Sequence, residues 1–196
     1  HDAAVYACRH WHYSHAVPAG RLNIIGVWED QSFLGVVIFS RGSNKSIASP
    51  YGLDMVHVCE LTRVALDAHR TPVSRIIAIA IRMVRKRSPG LRLIISYAAG
   101  EQGHHGGIYQ AGGWIYEGPM DSHAFIVKGR LVHARSIGAR YGTGTQSESW
   151  LRENLDRDAA RVTGLVRHKY LMPLDDVIRR QVQALAKPYP KRSIVD

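Results

Sequence analysis

The chain has 196 residues, 45% of them hydrophobic, and a formal net charge of +10 from 26 Lys and Arg against 16 Asp and Glu. That length suits one domain with at most an appended lobe, and no apolar run approaches the about 20 residues that cross a bilayer or has the form of a signal peptide. Two cysteines, Cys8 and Cys59, build neither a disulfide framework nor a metal-spaced cluster, so a reducing, cytoplasmic setting is expected, with phosphate-rich partners for the basic surface.

The first distinctive element is His10-Trp11-His12-Tyr13-Ser14-His15. Read as extended chain, it puts His10, His12 and Ser14 on one face and Trp11, Tyr13 and His15 on the other. Leu22–Trp28 and Phe33–Phe39 are β-rich runs split by Glu29-Asp30-Gln31-Ser32, which predicts a hairpin. Ser40–Pro50 reads as a polar loop. Val56–Ala65 reads as a strand carrying Glu60 and Arg63, whose spacing places them on opposite faces. Charges in such a strand are costly unless each finds a partner or looks into a cleft.

Thr71-Pro72-Val73-Ser74 opens the clearest helix, Ser74–Arg87, with Ser74 as the expected N-cap and Ile76, Ile77, Ala80, Ile81 and Val84 as its apolar face. The N–H groups at its start suit an anion. Pro89-Gly90 stops it, and Leu91–Tyr97 follows as a buried strand of a parallel or mixed sheet. That strand runs into Ser96–Trp114, SYAAGEQGHHGGIYQAGGW. Glycines at 100, 103, 106 and 107 bracket His104 and His105. Glycine allows close backbone approach, and His and Tyr bring proton-transfer or ligand chemistry. A strand end opening into such a turn is where α/β proteins seat ligands.

Ile108–Ala111 reads as a helical turn. Trp114–Glu117 reads as a strand, and Ala124–His133 as a pair turning at Lys128-Gly129. Arg135–Gln146 reads as a loop, Trp150–Leu165 and Leu174–Leu185 as helices, and Pro188–Arg192 as an extended tail. Basic residues cluster at Arg82, Arg85, Lys86 and Arg87, again from Arg152 through Arg157, Arg161, Arg167, His168 and Lys169, and finally at Lys187, Lys191 and Arg192. This distribution favours nucleic acid.

The order of hairpin, charged strand, anion-ready helix, strand and short turn resembles the acyltransferase fold of the GNAT superfamily. The motifs resemble those of the bacteriophage Mom DNA-modification family more narrowly. They are His12-Tyr13-Ser14, Glu60-Leu61-Thr62-Arg63, Ser74-Arg75, Gly103-His104-His105-Gly106-Gly107-Ile108-Tyr109-Gln110-Ala111, Trp114-Ile115-Tyr116-Glu117-Gly118, Lys169-Tyr170 with Met172-Pro173-Leu174, and Pro188-Tyr189-Pro190-Lys191-Arg192. The glycine–histidine–tyrosine block is the most specific of them. The resemblance implies an α/β (α+β) fold, GNAT-like, with a mixed, mostly antiparallel central sheet flanked by helices. A catalytic domain over 1–146 and a basic helical C-terminal extension over 147–196 complete the expected organisation.

It further implies transfer of a carbamoylmethyl (acetamido) group to adenine N6 in phage DNA, protecting that DNA from host restriction. Duplex DNA with a flipped adenine is the implied partner. His12, Tyr13, Arg63, Tyr109 and His104 are the expected catalytic residues. Ser74 and Arg75 are expected to contact the cofactor, and Trp11, Trp114 and Lys169 the substrate. The donor is acetyl-CoA or a glycine derivative such as glycyl-tRNA. Iron is possible, with His12 and Tyr13 as its first suspects. Two departures stand out. The strand end reads Tyr97-Ala98-Ala99 where the family has Tyr-Ala-Asp, which leaves a divergent or inactivated member, or Glu101 in the acid's role. The segment His69–Val73 has no glycine, and Pro72 lacks an N–H, which speaks against coenzyme A held in the ordinary manner. An acetyl-CoA-dependent N-acetyltransferase and a non-catalytic nucleic-acid-binding module are the rival readings.

Overall fold

In the computed structural model, residues 1–42, 44, 46–143 and 147–191 are described. Arg192 and the 144–146 end of the expected loop lie outside the described residues, as does the side chain of Glu101. Strands β1 (Leu22–Glu29), β2 (Ser32–Ser40), β3 (Val58–Leu66), β4 (Leu93–Ala99), β5 (Ile115–Val127), β6 (Arg130–His133) and β7 (Ala160–Pro173) form one sheet in the order β1-β2-β3-β4-β7-β5-β6. The helices are α1 (Asp2–Trp11), α2 (Val73–Arg87), α3 (Gly107–Gln110), α4 (Ala134–Tyr141), α5 (Glu148–Asn154) and α6 (Asp176–Gln183). The result is a mixed sheet flanked by helices, as expected, with β1–β2 and β2–β3 antiparallel and β3–β4 parallel. Among the described residues no helix is long and apolar enough to cross a membrane.

The chain divides into two compact units, one of residues 1–98, 105–118 and 168 onward, the other of 99–104 and 119–167. In the first, β2 is buried on both faces. Val37 and Phe39 join Ile76, Ile77, Ala80, Ile81 and Val84 of α2, whereas Val36 and Ile38 pack on Ala4, Ala7 and Cys8 of α1. Gly35 is required on β2, because a Cβ there would lie 2.0 Å from the Ala65 carbonyl oxygen. A third cluster sets Leu93 and Ile95 of β4 against Ile178 and Val182 of α6. Asp175 caps α6 through the Ile178 N–H and pairs with Arg92 at 2.8 and 3.0 Å, fastening the helix to the strand entrance. In the second unit Phe125, Val127 and Val132 bury against Ala134, Ile137 and Leu151, and Lys128 and Gly129, both at positive φ, make the expected turn.

Five sequence expectations change. The N-terminal segment is helical through Trp11, because Ala4, Ala7 and Cys8 recur at helical spacing and bury on the sheet. Pro72, with no side chain to offer, is the N-cap of α2, and Ser74 lies inside the first turn. Residues 134–141 form α4 rather than a loop, anchored by Ile137. The expected strand at 114–117 continues without a break to Val127 as β5. The helix expected over 150–165 stops at Asn154. Val162, Thr163 and Gly164 are poor helix formers, and 160–173 is strand β7.

One clip outside the sheet decides how α2 begins. Glu29, at the end of β1, accepts the backbone N–H groups of Thr71 at 2.9 Å and Arg70 at 3.1 Å. Those bonds, with the Thr71 hydroxyl, hold the Glu29 carboxyl down to about 2 from its usual 4.5. The ionised form therefore favours the folded state. Its contribution is complete above the unfolded value and lost as pH falls from about 4.5 through about 2. Thermal unfolding of Glu29→Gln should show a lower midpoint at pH 7, and the gap to the unaltered chain should close as pH approaches 2. A constant gap would exclude this origin.

Candidate active site

The site grows from a fork in the sheet of the first unit. β3 and β4 pair only from Val58↔Leu93 to Leu61↔Ser96, although β3 runs on to Leu66 and β4 to Ala99. At the last rung the buried Ser96 hydroxyl reaches both the Leu61 carbonyl and the Tyr109 hydroxyl, each at 2.8 Å. A carbonyl can only accept, so the single Ser96 proton goes to Leu61 and Tyr109 donates to Ser96. Burial, opposed by the Ser96 hydrogen bond and reinforced by Tyr13, Glu60 and Tyr170, pushes the Tyr109 phenol up to about 12. Tyr109 is thus a neutral phenol at physiological pH. Its proton is committed inward, and its oxygen can still accept a hydrogen bond.

The same electrostatic reach brings Tyr13 to Tyr109 from far away in sequence. The chain leaves α1 at His12 with extended dihedrals and puts the His12 and Tyr13 rings face to face, 4.3 Å apart. The three neighbouring histidines have different jobs. His10 and His15 donate through Nδ1 to the carbonyls of Tyr6 and Arg9, both at 2.8 Å, fastening the helix end. His12 accepts the Ser14 N–H at Nδ1, which leaves Nε2 as the N–H of a neutral ring. Arg63 donates to the Thr62 carbonyl at 2.7 Å and to the Ala16 carbonyl at 3.2 Å, so the segment after Tyr13 is tied to β3.

The expected separation of Glu60 and Arg63 rests on strict alternation, and the strand breaks it. Ile38 faces Arg63 while Phe39 faces Leu61, so Thr62 is an extra residue that donates to the Ile38 carbonyl instead. Leu61 and Val64 accordingly pack into one cluster. Glu60 itself is buried at 7% exposure.

The other wall is aromatic. The Tyr170 ring lies 5.1 Å from both Tyr109 and Tyr116, and its hydroxyl donates to the His105 carbonyl at 2.5 Å. Gln110 Nε2 faces three acceptors, the His105 carbonyl, the Tyr170 oxygen and the Pro190 carbonyl, at 3.1–3.2 Å. Gly106 takes a φ of 84°, and a Cβ there would fall 2.3 Å from the Tyr170 ring. The glycine of this turn therefore lets the backbone close over a tyrosine. His168 is bonded to the Tyr116 hydroxyl at 2.8 Å, and burial and His105 lower its pKa.

Tyr13, with the His12 ring stacked on it, lies within electrostatic reach of Tyr109 in the first unit, and Arg63 is bonded to Ala16 on the segment that follows Tyr13. His104 is exposed in the second unit, where Ala99 is buried and its carbonyl accepts the His104 N–H at 3.2 Å. Trp114, 1% exposed, packs on Tyr109. Trp11 packs near Tyr6 and Phe33. Lys169 is buried in an ion pair with Glu117 at 3.0 Å, and Glu117 accepts the Tyr51 hydroxyl at 2.5 Å. Ser74 and Arg75 lie in the first turn of α2, where Glu29 already occupies the preceding N–H groups. Glu29 thus holds the N–H groups of Arg70 and Thr71, just ahead of the first turn of the helix. His12 Nδ1 is engaged, and among the described residues no three His, Cys, Asp or Glu side chains converge. Ser96, Gln110, Glu29 and His168 were not singled out from sequence. A serine inside an apolar strand was the available signal for Ser96.

Comparison with known proteins adds two findings. The model of the Mom protein family matches residues 1–191. A relative from Escherichia phage Mu, named methylcarbamoylase mom, is 26% identical over 187 residues, covering 92% of this chain and 76% of the relative.

The two positive-φ glycines of the turn separate strain from collision. Gly103 has nothing within 4 Å of a built Cβ, whereas Gly106 meets Tyr170. Gly103→Ala should cost about 1 kcal/mol of stability, and Gly106→Ala about 3 kcal/mol or more. Equal shifts in chemical denaturation would refute the packing account.

Proposed function

This chain belongs to the Mom protein family, and on that premise we propose that it is a transferase that modifies adenine in phage DNA, placing a carbamoylmethyl group on N6. The observation that supports the reading is the hydrogen-bond chain Tyr109–Ser96–Leu61 at the fork, with Tyr13, nearly a hundred residues away in sequence, within electrostatic reach of Tyr109 and Arg63 bonded to the segment after Tyr13. The net charge of +10 supports a nucleic-acid substrate.

The chemistry asks for specific help. The adenine amine is a weak nucleophile because its lone pair is delocalised into the ring. N6 must lose a proton as it bonds the donor's methylene carbon and the leaving group departs. A paired adenine is out of reach, so the base is extruded from the stack. We assign Arg63 to the negative charge that develops on the donor, and Tyr109 and the His12 Nε2–H to orientation of the reacting groups. With Ala99 at the strand end, Glu60, buried within electrostatic reach of Tyr109, is the carboxylate we assign as proton acceptor. The clip of Glu29 on the α2 entrance favours a donor other than coenzyme A, such as a glycine derivative carried on tRNA. The same observation weighs against the acetyl-CoA-dependent reading.

Nucleoside mass analysis of DNA from cells expressing the chain tests this. A modified adenosine heavier by a carbamoylmethyl group is expected. Tyr109→Phe should reduce it about tenfold or more, and Glu60→Gln should reduce it about a hundredfold, each with the fold intact by circular dichroism. Unmodified adenine from the unaltered chain, and also from Ala99→Asp, would sink the assignment.

A further inference from the structure

The segment Lys187–Lys191 is fastened at several points. The Lys187 N–H donates to the Tyr116 carbonyl at 2.8 Å, and the Pro190 carbonyl accepts from Gln110 at 3.2 Å. Between them the Tyr189 hydroxyl donates to the Trp114 carbonyl at 2.6 Å. Prolines on both sides of Tyr189 remove further backbone freedom. The phenol proton is therefore spent on the backbone, and Tyr189 has no proton to relay. What it offers is its ring, 44% exposed and lying 6.4 Å from Tyr170, the residue that touches Tyr109.

Holding a half-exposed aromatic this firmly forfeits side-chain entropy on folding, and core burial returns only part of it. A binding surface gains from the same rigidity, because a ring already immobilised loses no freedom when a ligand stacks on it. The flanking Lys187 and Lys191 are exposed. An aromatic face between two cations matches a nucleotide, with the ring for a base and the ammonium groups for phosphates.

We propose that the Lys187–Lys191 strap is a nucleic-acid contact in which the Tyr189 ring stacks on the extruded adenine. This rests on the function proposed above. The strap reaches the site through Tyr170 and Gln110, so the stacked base is held beside the Tyr109 wall. Lys187 and Lys191 neutralise phosphates next to the target nucleotide.

The test measures affinity of the full chain for two duplexes, one carrying the adenine found modified in cells and one with an abasic site in its place. Tyr189→Ala should weaken binding to the adenine duplex about tenfold and leave binding to the abasic duplex unchanged. Tyr189→Phe keeps the ring, gives up the anchor, and should stay within about twofold of the unaltered chain on both duplexes. Equal losses on both duplexes, or a Phe variant as weak as Ala, would show that Tyr189 only supports the fold and would overturn the proposal. So would an Ala variant that binds normally. Absence of modified adenine in cells carrying the unaltered chain is a failure of the function reading. Modified adenine together with an indifferent Tyr189→Ala is a failure of this inference alone.

Discussion

The Ser96 hydroxyl stands where two demands on the first unit meet. It donates to the carbonyl of Leu61 at the last paired rung of β3 and β4, and it receives the proton of Tyr109. Beyond that rung the strands stop pairing, and their backbone groups need other partners. On β3 the Thr62 carbonyl takes the Arg63 guanidinium, which also reaches the Ala16 carbonyl. The parting of the strands and the placing of the reactive side chains are one arrangement. A carbonyl released from strand pairing becomes the point that orients a phenol.

The site also explains its own composition. Tyr170 fills the space above Gly106 and holds the glycine turn from the far side. Tyr109, Tyr116 and Tyr189 surround it within 5.1–6.4 Å, so the wall is built of rings rather than aliphatic chains. The rings are tilted against Tyr170 by 35–39° and carry polar ends that can be tied down. Each hydroxyl here is tied, to Ser96, His168, His105 or Trp114. Stiffness of this sort suits a surface that must meet a flat heterocycle in a fixed orientation.

Much of this was legible in sequence, for reasons that can be named. The hairpin, α2, β4 and the glycine turn declare themselves through period, caps and glycine spacing. The turn, His12-Tyr13 and Arg63 were singled out as chemistry because their residue types make poor core. The failures have physical causes as well. The α1 face is small residues, Ala4, Ala7 and Cys8, too weakly apolar to stand out beside the conspicuous histidines. In β7 the arginines gave the look of a basic helix, while the β-branched Val162 and Thr163 favoured the strand and Gly164 disfavoured the helix. Trp114 looked like a stacking platform, and the fold spends it on packing against Tyr109. The bulge at Thr62 could not be read without the register of β2, since alternation is defined by the neighbouring strand as much as by its own residues.

The clip at the start of α2 has a consequence for any anion that approaches the helix. Glu29, ionised across the physiological range, sits on the N–H groups of Arg70 and Thr71 like a ligand that never leaves. A dianionic diphosphate would have to displace a covalently tethered competitor and approach its charge. A fixed negative charge is in this way folded into the entrance of the helix as secondary structure forms.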